Sequence, residues 1–175
     1  DGAIIAGIDT NADMGAITIN QNVSIGSIGG ANNGNSITFN DAKTLTLTGT
    51  QTVGGAVGVN VYDKLIDIDF GTLASTVNIE SADAGEITLG GQFLQVDDNN
   101  ATLNVKTSLI STNDDADSTA LAVKNINIGI ASLGVNHGSA ATLTSQPNGG
   151  NAVTIAGDVK FLHADSKLLL DSTNA

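Results

Sequence analysis

The stretch Ser36-Ile37-Thr38-Phe39-Asn40-Asp41-Ala42-Lys43-Thr44-Leu45-Thr46-Leu47-Thr48-Gly49 decides how this chain is read. Two short runs alternate apolar residues with Thr, joined through Asn-Asp and closed by Gly. Side chains on a strand point to opposite faces in turn, so Ile37 and Phe39 share one face and Thr38 takes the other. Leu45 and Leu47 likewise point one way, with Thr44, Thr46 and Thr48 pointing the opposite way. β-branched Thr suits an exposed pleated surface. Asn40 and Asp41 can bond their own backbone and accept left-handed conformations, which turns the chain. So short a strand cannot bury its apolar side alone, and the unit requires copies stacked on it.

Working outward, the same pattern recurs along the whole chain. Ala16-Ile17-Thr18-Ile19, Val57-Gly58-Val59-Asn60-Val61, Thr76-Val77-Asn78-Ile79, Glu86-Ile87-Thr88-Leu89, Thr102-Leu103-Asn104-Val105 and Ala152-Val153-Thr154-Ile155 all show period 2. Nearly every run is three to six residues long and bounded by Gly, Asn, Asp or Ser, which reads as strand and turn. No stretch has a 3.6-residue periodicity long enough for a helix. Ile17, Ile37, Val57 and Val77 each stand 20 residues apart, and Leu103, Leu121 and Leu143 follow at 18 and 22. The expectation is an all-β, right-handed parallel β-solenoid of about 20 residues per rung, residues 1–175 forming one segment. A β-sandwich or jelly roll is the alternative, although it would show longer strands and more aromatic core residues.

Composition narrows the function classes. The 175 residues carry a formal net charge of −12, with no Arg and only six Lys. Neither phosphate neutralisation nor polybasic attraction to anionic lipid is available, which argues against nucleic acid and membrane surfaces as partners. Charged residues make up 14%, below the roughly 25% usual for soluble domains, and Asn, Thr, Gly and Ser supply the polarity instead. Hydrophobic residues at 41% and a mean hydropathy of +0.13 argue against a disordered polar tract. Aromatics at 3% point to a narrow interior of Ile, Val, Leu and Ala. Cys is absent, which a stacked fold tolerates. The chain opens at Asp1 with no signal-like region, and no apolar run approaches a membrane span; it reads as a piece of something longer.

The runs Ser36-Ile37-Thr38-Phe39-Asn40, Lys43-Thr44-Leu45-Thr46-Leu47-Thr48-Gly49, Glu86-Ile87-Thr88-Leu89-Gly90-Gly91 and Ala152-Val153-Thr154-Ile155-Ala156-Gly157 resemble passenger domains of bacterial autotransporters. The likeness in style is greatest to the rickettsial surface cell antigens of the outer membrane protein A/B type. The resemblance implies a secreted β-solenoid displayed at the outer membrane, serving adhesion to host cells or a surface layer. Its partners would be a host cell-surface protein or neighbouring copies of itself. It carries over no functional residue, because the family shares no catalytic motif.

Several residue sets invite sharper chemistry. Asp9-Thr10-Asn11-Ala12-Asp13-Met14-Gly15 resembles the start of an EF-hand calcium loop, but Met14 stands where Gly is wanted and Asn20 where a bidentate Glu should be. An acidic turn explains it as well. Asp97-Asp98-Asn99-Asn100 and Asp114-Asp115-Ala116-Asp117 could gather carboxylates on adjacent rungs, or simply keep loops polar. Calcium at Asp9–Asp13 or Asp114–Asp117 stays open. Glycoside hydrolysis needs two carboxylates at a set distance across a groove, and Asn136-His137-Gly138 offers at most a lone His. There is no Arg to grip acidic sugars, and Tyr62 is the single Tyr. His137 and His163 lack metal-ligand spacing. The Thr44-x-Thr46-x-Thr48 ladder invites an ice-binding reading, yet most other strands offer one central Thr (Thr18, Thr38, Thr88, Thr154) rather than an array. No catalytic, cofactor-binding or metal site is expected, and a carbohydrate-active enzyme is the alternative from a different class.

Overall fold

The computed structural model describes residues 2–5, 8–9, 16–26, 28–29, 36–48, 67–81, 86–89, 93–94, 101–111, 119–131, 138–145, 152–155 and 157–170. Among them every regular element is a strand. In chain order the strands fall into seven circuits. The first is β1 (Ala3–Ile5), β2 (Ile8–Asp9) and β3 (Ala16–Ile19), and the second β4 (Val23–Ile25), β5 (Ile28–Gly29) and β6 (Ser36–Phe39). The third shows β7 (Thr44–Leu47) and β8 (Asp67–Asp69); the fourth is β9 (Thr76–Ile79), β10 (Glu86–Leu89) and β11 (Phe93–Leu94). The fifth is β12 (Thr102–Val105), β13 (Ser108–Ser111) and β14 (Thr119–Val123); the sixth β15 (Asn125–Ile128), β16 (Thr142–Ser145) and β17 (Ala152–Ile155). The seventh contributes β18 (Val159–Phe161) and β19 (Lys167–Leu170).

Among the described residues the named strands pair between circuits, and an isolated antiparallel bridge joins Ile130 to Ser139 within the sixth. The first sheet takes one strand from each circuit in the order β1-β4-β7-β9-β12-β15-β18. The second holds β2-β5 and β10-β13-β16-β19, and the third runs β3-β6-β8-β11-β14-β17. All these strand pairs are parallel. The expected all-β class and parallel pairing are therefore present. Among the described strands none forms the antiparallel hairpins of a sandwich: Asn40–Lys43 is a corner carrying the chain from the third sheet to the first.

The spacing differs from the expected 20 residues. Ile17 does lie on Ile37, 20 positions on. Val77, however, lies on Leu45 of the first sheet, not beneath Ile37 of the third. Leu103, Leu121 and Leu143 belong to the first, third and second sheets, so their spacings of 18 and 22 are steps between faces. In the first sheet, hydrogen-bonded positions on successive circuits are 22, 32, 26, 23 and 33 residues apart. Parallel pairing fixes what happens inside each strand and leaves corner lengths free, because lengthening a loop costs little closure entropy. The Val57 to Val61 strand lies outside the described residues.

Register creates the core. Val23, Leu45, Val77, Leu103 and Ile126 form one inward column of the first sheet, and Ile25, Leu47, Ile79, Val105 and Ile128 the next; all are buried. Ile87, Leu109 and Leu143 contribute from the second sheet, and Ile37 and Ile68 from the third. Phe39 and Phe70 stack with ring centroids 5.8 Å apart and planes 1° from parallel. Each fully buried aliphatic side chain contributes about 1.5–3 kcal/mol. Corners add backbone bonds between circuits, among them Thr76 N to Lys43 O at 2.9 Å and Thr102 N to Ser75 O at 3.0 Å.

Candidate interaction surface

The outward face of the first sheet gathers the chain's polar side chains into columns. Because β7, β9, β12 and β15 pair without slippage, Thr44, Thr76, Thr102 and Asn125 stand one above another. Two residues along, Ser24, Thr46, Asn78, Asn104, Asn127 and Lys160 form a second column. Stacked strands sit about 4.7–4.9 Å apart, close enough for an amide to reach its counterpart on the next circuit. Asn127 Nδ2 donates to Asn104 Oδ1 at 2.8 Å, and Asn104 Nδ2 donates to Asn78 Oδ1 at 2.8 Å. Asn78 Nδ2 then donates to Thr46 Oγ1 at 3.3 Å. All three amides donate in the same direction, so the ladder is polarised along the stack, and such chains strengthen cooperatively.

Charged groups border these columns. Lys106 Nζ meets Glu80 Oε2 at 2.7 Å, bridging the fourth and fifth circuits. At the opposite corner Lys43 Nζ lies 2.8 Å from Asp41 Oδ2, and Ala42 N donates to Asp41 Oδ1 at 2.8 Å. The Lys43 hydrogen bond, then the Ala42 N–H, hold the Asp41 carboxyl below its ordinary range. Near the first circuit a shallow groove of about 460 Å³ opens on this face between Gly2, Ile4, Asn22, Ser24, Thr44 and Thr46. The surface can offer rows of hydroxyls and amides to a partner.

Sequence reasoning flagged Thr44, Thr46 and Thr48 but rejected an array because other strands carry one central Thr. No other described strand of the first sheet repeats Thr-x-Thr; Thr76, Asn78, Thr102, Asn104, Asn125 and Asn127 instead extend both columns with Asn as well as Thr. The pattern of Thr or Asn, apolar, Asn, apolar in Thr76–Ile79, Thr102–Val105 and Asn125–Ile128 was the signal that could have found them. Thr18 and Thr38 stack in the third sheet and meet Asp69, not a further Thr.

Among the described residues the other candidates are not brought together. Asp9 ends β2, whereas Asn11, Asp13, Asp97, Asp98, Asp114, Asp115, Asp117, His137 and Tyr62 lie outside the described residues. His163 sits in the corner between β18 and β19, where its Nδ1 accepts the Asp165 backbone N–H at 3.2 Å. That is turn chemistry. Among the described residues, no three His, Cys, Asp or Glu side chains come together as a metal would require. No described helix is long and apolar enough to cross a membrane.

Comparison with known proteins adds one relationship.
The chain is similar to outer membrane protein A of Rickettsia rickettsii. The two are 31% identical over 163 residues, covering 91% of this chain. The chain spans 6% of that protein's length. No family model matches, and no solved structure matches.

Proposed function

We propose that this chain is a segment of a right-handed parallel β-solenoid, the passenger of an autotransporter, displayed outside the cell at the bacterial outer membrane. In this reading it is a non-catalytic rod that presents its outer face for host-cell attachment. The carrying observation is the seven-stranded parallel sheet, one strand per circuit, in a chain related to a rickettsial outer membrane protein. Parallel strands joined by crossovers are almost always right-handed, which supports the hand. In-register aliphatic columns inside and an amide ladder outside support stiffness. Flat rows of Thr and Asn suit a protein partner, because they supply donors and acceptors at a fixed repeat without a deep pocket.

The test is retention of host cell-surface proteins on the immobilised chain, against a stacked β protein of similar charge. Saturable retention of one protein, lost in Asn104→Lys and kept in Thr18→Lys, is the expected result. Retention no greater than the control, with both variants folded by circular dichroism, would overturn the adhesive reading.

A further inference from the structure

Backbone bonds carry the register of the first sheet one residue beyond its strands. Glu80 N donates to Leu47 O at 3.0 Å, Lys106 N to Ile79 O at 2.9 Å, and Gly129 N and Leu162 N to Val105 O and Ile128 O at 2.8 Å. A third outward column of Gly26, Thr48, Glu80, Lys106, Gly129 and Leu162 therefore stands beside the two columns of Thr and Asn. Asn22 and Asp158 extend the first of those columns, each lying just before the paired residues Val23 and Val159. The chain as a whole bears 18 carboxylates against six Lys. Across the three columns, from the second circuit to the seventh, the charged residues are Glu80, Lys106, Asp158 and Lys160, two of each sign. Copies of an acidic protein repel one another, and a neutral face is where they can meet.

The order of residues along the columns selects one arrangement. A two-fold axis parallel to the strands, passing between the fourth and fifth circuits, would lay this face on that of a second copy with the stacks antiparallel. The fourth circuit then meets the fifth, the third the sixth, and the second the seventh. Glu80 faces Lys106 of the other copy, and Lys106 faces its Glu80. With the 2.7 Å Lys106–Glu80 ion pair inside each chain, this closes a ring of four alternating charges. Asn78 faces Asn104, Thr76 faces Thr102, and Leu162 comes over Gly26, which has no side chain to obstruct it. Lys160 meets Ser24 and Asp158 meets Asn22, so no like charges oppose one another on the face. Moving the axis onto the fourth or fifth circuit would set Glu80 on Glu80 or Lys106 on Lys106. At the rim Lys43 comes toward Lys124 of the other copy, and Asp41, 2.8 Å from Lys43, offsets it.

We propose that this chain forms a symmetric dimer through the outer face of its first sheet, stacks antiparallel, with the two-fold between Asn78 and Asn104. Such an interface is isologous and closes on itself. Six circuits at about 4.8 Å and five residues at about 3.3 Å cover roughly 29 Å by 16 Å, or about 900 Å² in total over both copies. That is the low end for specific interfaces, so the dimer is weak and reversible. The proposal rests on the stacked-rod reading above and names a second copy as the occupant of the presented face.

Sedimentation velocity over a concentration series, at physiological ionic strength to screen the net charge, tests it with Glu80→Lys and Lys106→Glu. Wild type should pass reversibly from monomer to dimer and stop there. Each variant alone should stay monomeric, since it sets like charges across the axis. An equimolar mixture of the two should dimerise, because the cations of one then face the carboxylates of the other. Thr18→Lys, on the third sheet, should dimerise as wild type does. Circular dichroism of each variant establishes that it is folded. Wild type still monomeric at about 1 mM would overturn the proposal, as would a mixture no more associated than its components. Dimerisation that either charge variant keeps on its own would place the contact on another face and equally overturn it. Only the purified chain is present, so failure here is distinct from failure of host-protein retention.

Discussion

Replacing Asn104 by alanine removes two hydrogen bonds at once, the one it donates to Asn78 and the one it accepts from Asn127, each 2.8 Å long. A typical net contribution is about 0.5–1.5 kcal/mol per bond, so the ladder predicts a loss of roughly 1–3 kcal/mol. The site is half-buried, and water can reach the abandoned amides, which favours the lower half of that range. Asn104→Asp sharpens the test. Its ionised carboxylate can still accept from Asn127, but it presents an acceptor to Asn78 Oδ1 where the amide donor stood. Acceptor against acceptor should make it less stable than Asn104→Ala near neutral pH. Protonation restores a donor at that oxygen, so the folded state should bind the proton more tightly than the unfolded one. Stability of Asn104→Asp should therefore rise on acidification relative to Asn104→Ala. Urea unfolding followed by circular dichroism at neutral and mildly acidic pH measures both effects. Asn104→Ala within about 0.3 kcal/mol of wild type would refute the ladder's role. So would an unchanged gap between the two variants across pH.

Three further outcomes follow from other sites. Ser145 is fully buried and its hydroxyl has no partner, so Ser145→Ala should stabilise the chain by up to about 1 kcal/mol in thermal or urea unfolding. Gly129 has φ of +91°, and an added Cβ would lie 2.9 Å from Ser139 O, so Gly129→Ala should lower the melting temperature, whereas Thr72→Ala on an exposed corner should not. The Asp41 carboxyl should titrate below an ordinary aspartate by carbon-detected NMR and move upward in Lys43→Met. Its contribution is present above the unfolded-state value and fades as pH falls through the lower folded-state value.

Much of the fold was legible because the inward and outward alternation is local. Thr44–Leu47, Thr76–Ile79 and Thr102–Val105 each announce a strand with a buried side, and all three bury their second and fourth residues. Which strands lie against each other was not legible by counting. The even spacing of Ile37, Val57 and Val77 suggested stacked rungs, but Val77 rests on Leu45, 32 residues back. Stacking is decided by side chains that match once the strands meet, and the corner between them leaves no trace at a fixed interval. The candidate surface was hidden for the same reason. Asn78, Asn104 and Asn127 are ordinary outward residues until unequal circuits bring them into one column.

Unequal circuits also have a mechanical meaning. Hydrogen bonds between neighbouring strands run along the stack, so tension on the rod loads its junctions in series and the weakest yields first. Each junction that opens unrolls one circuit of chain. Paired positions in the first sheet lie 22 to 33 residues apart after the first step, so each release would lengthen the tether by about 70–120 Å. A sudden pull along the stack would therefore be met as a sequence of small slips rather than a single break.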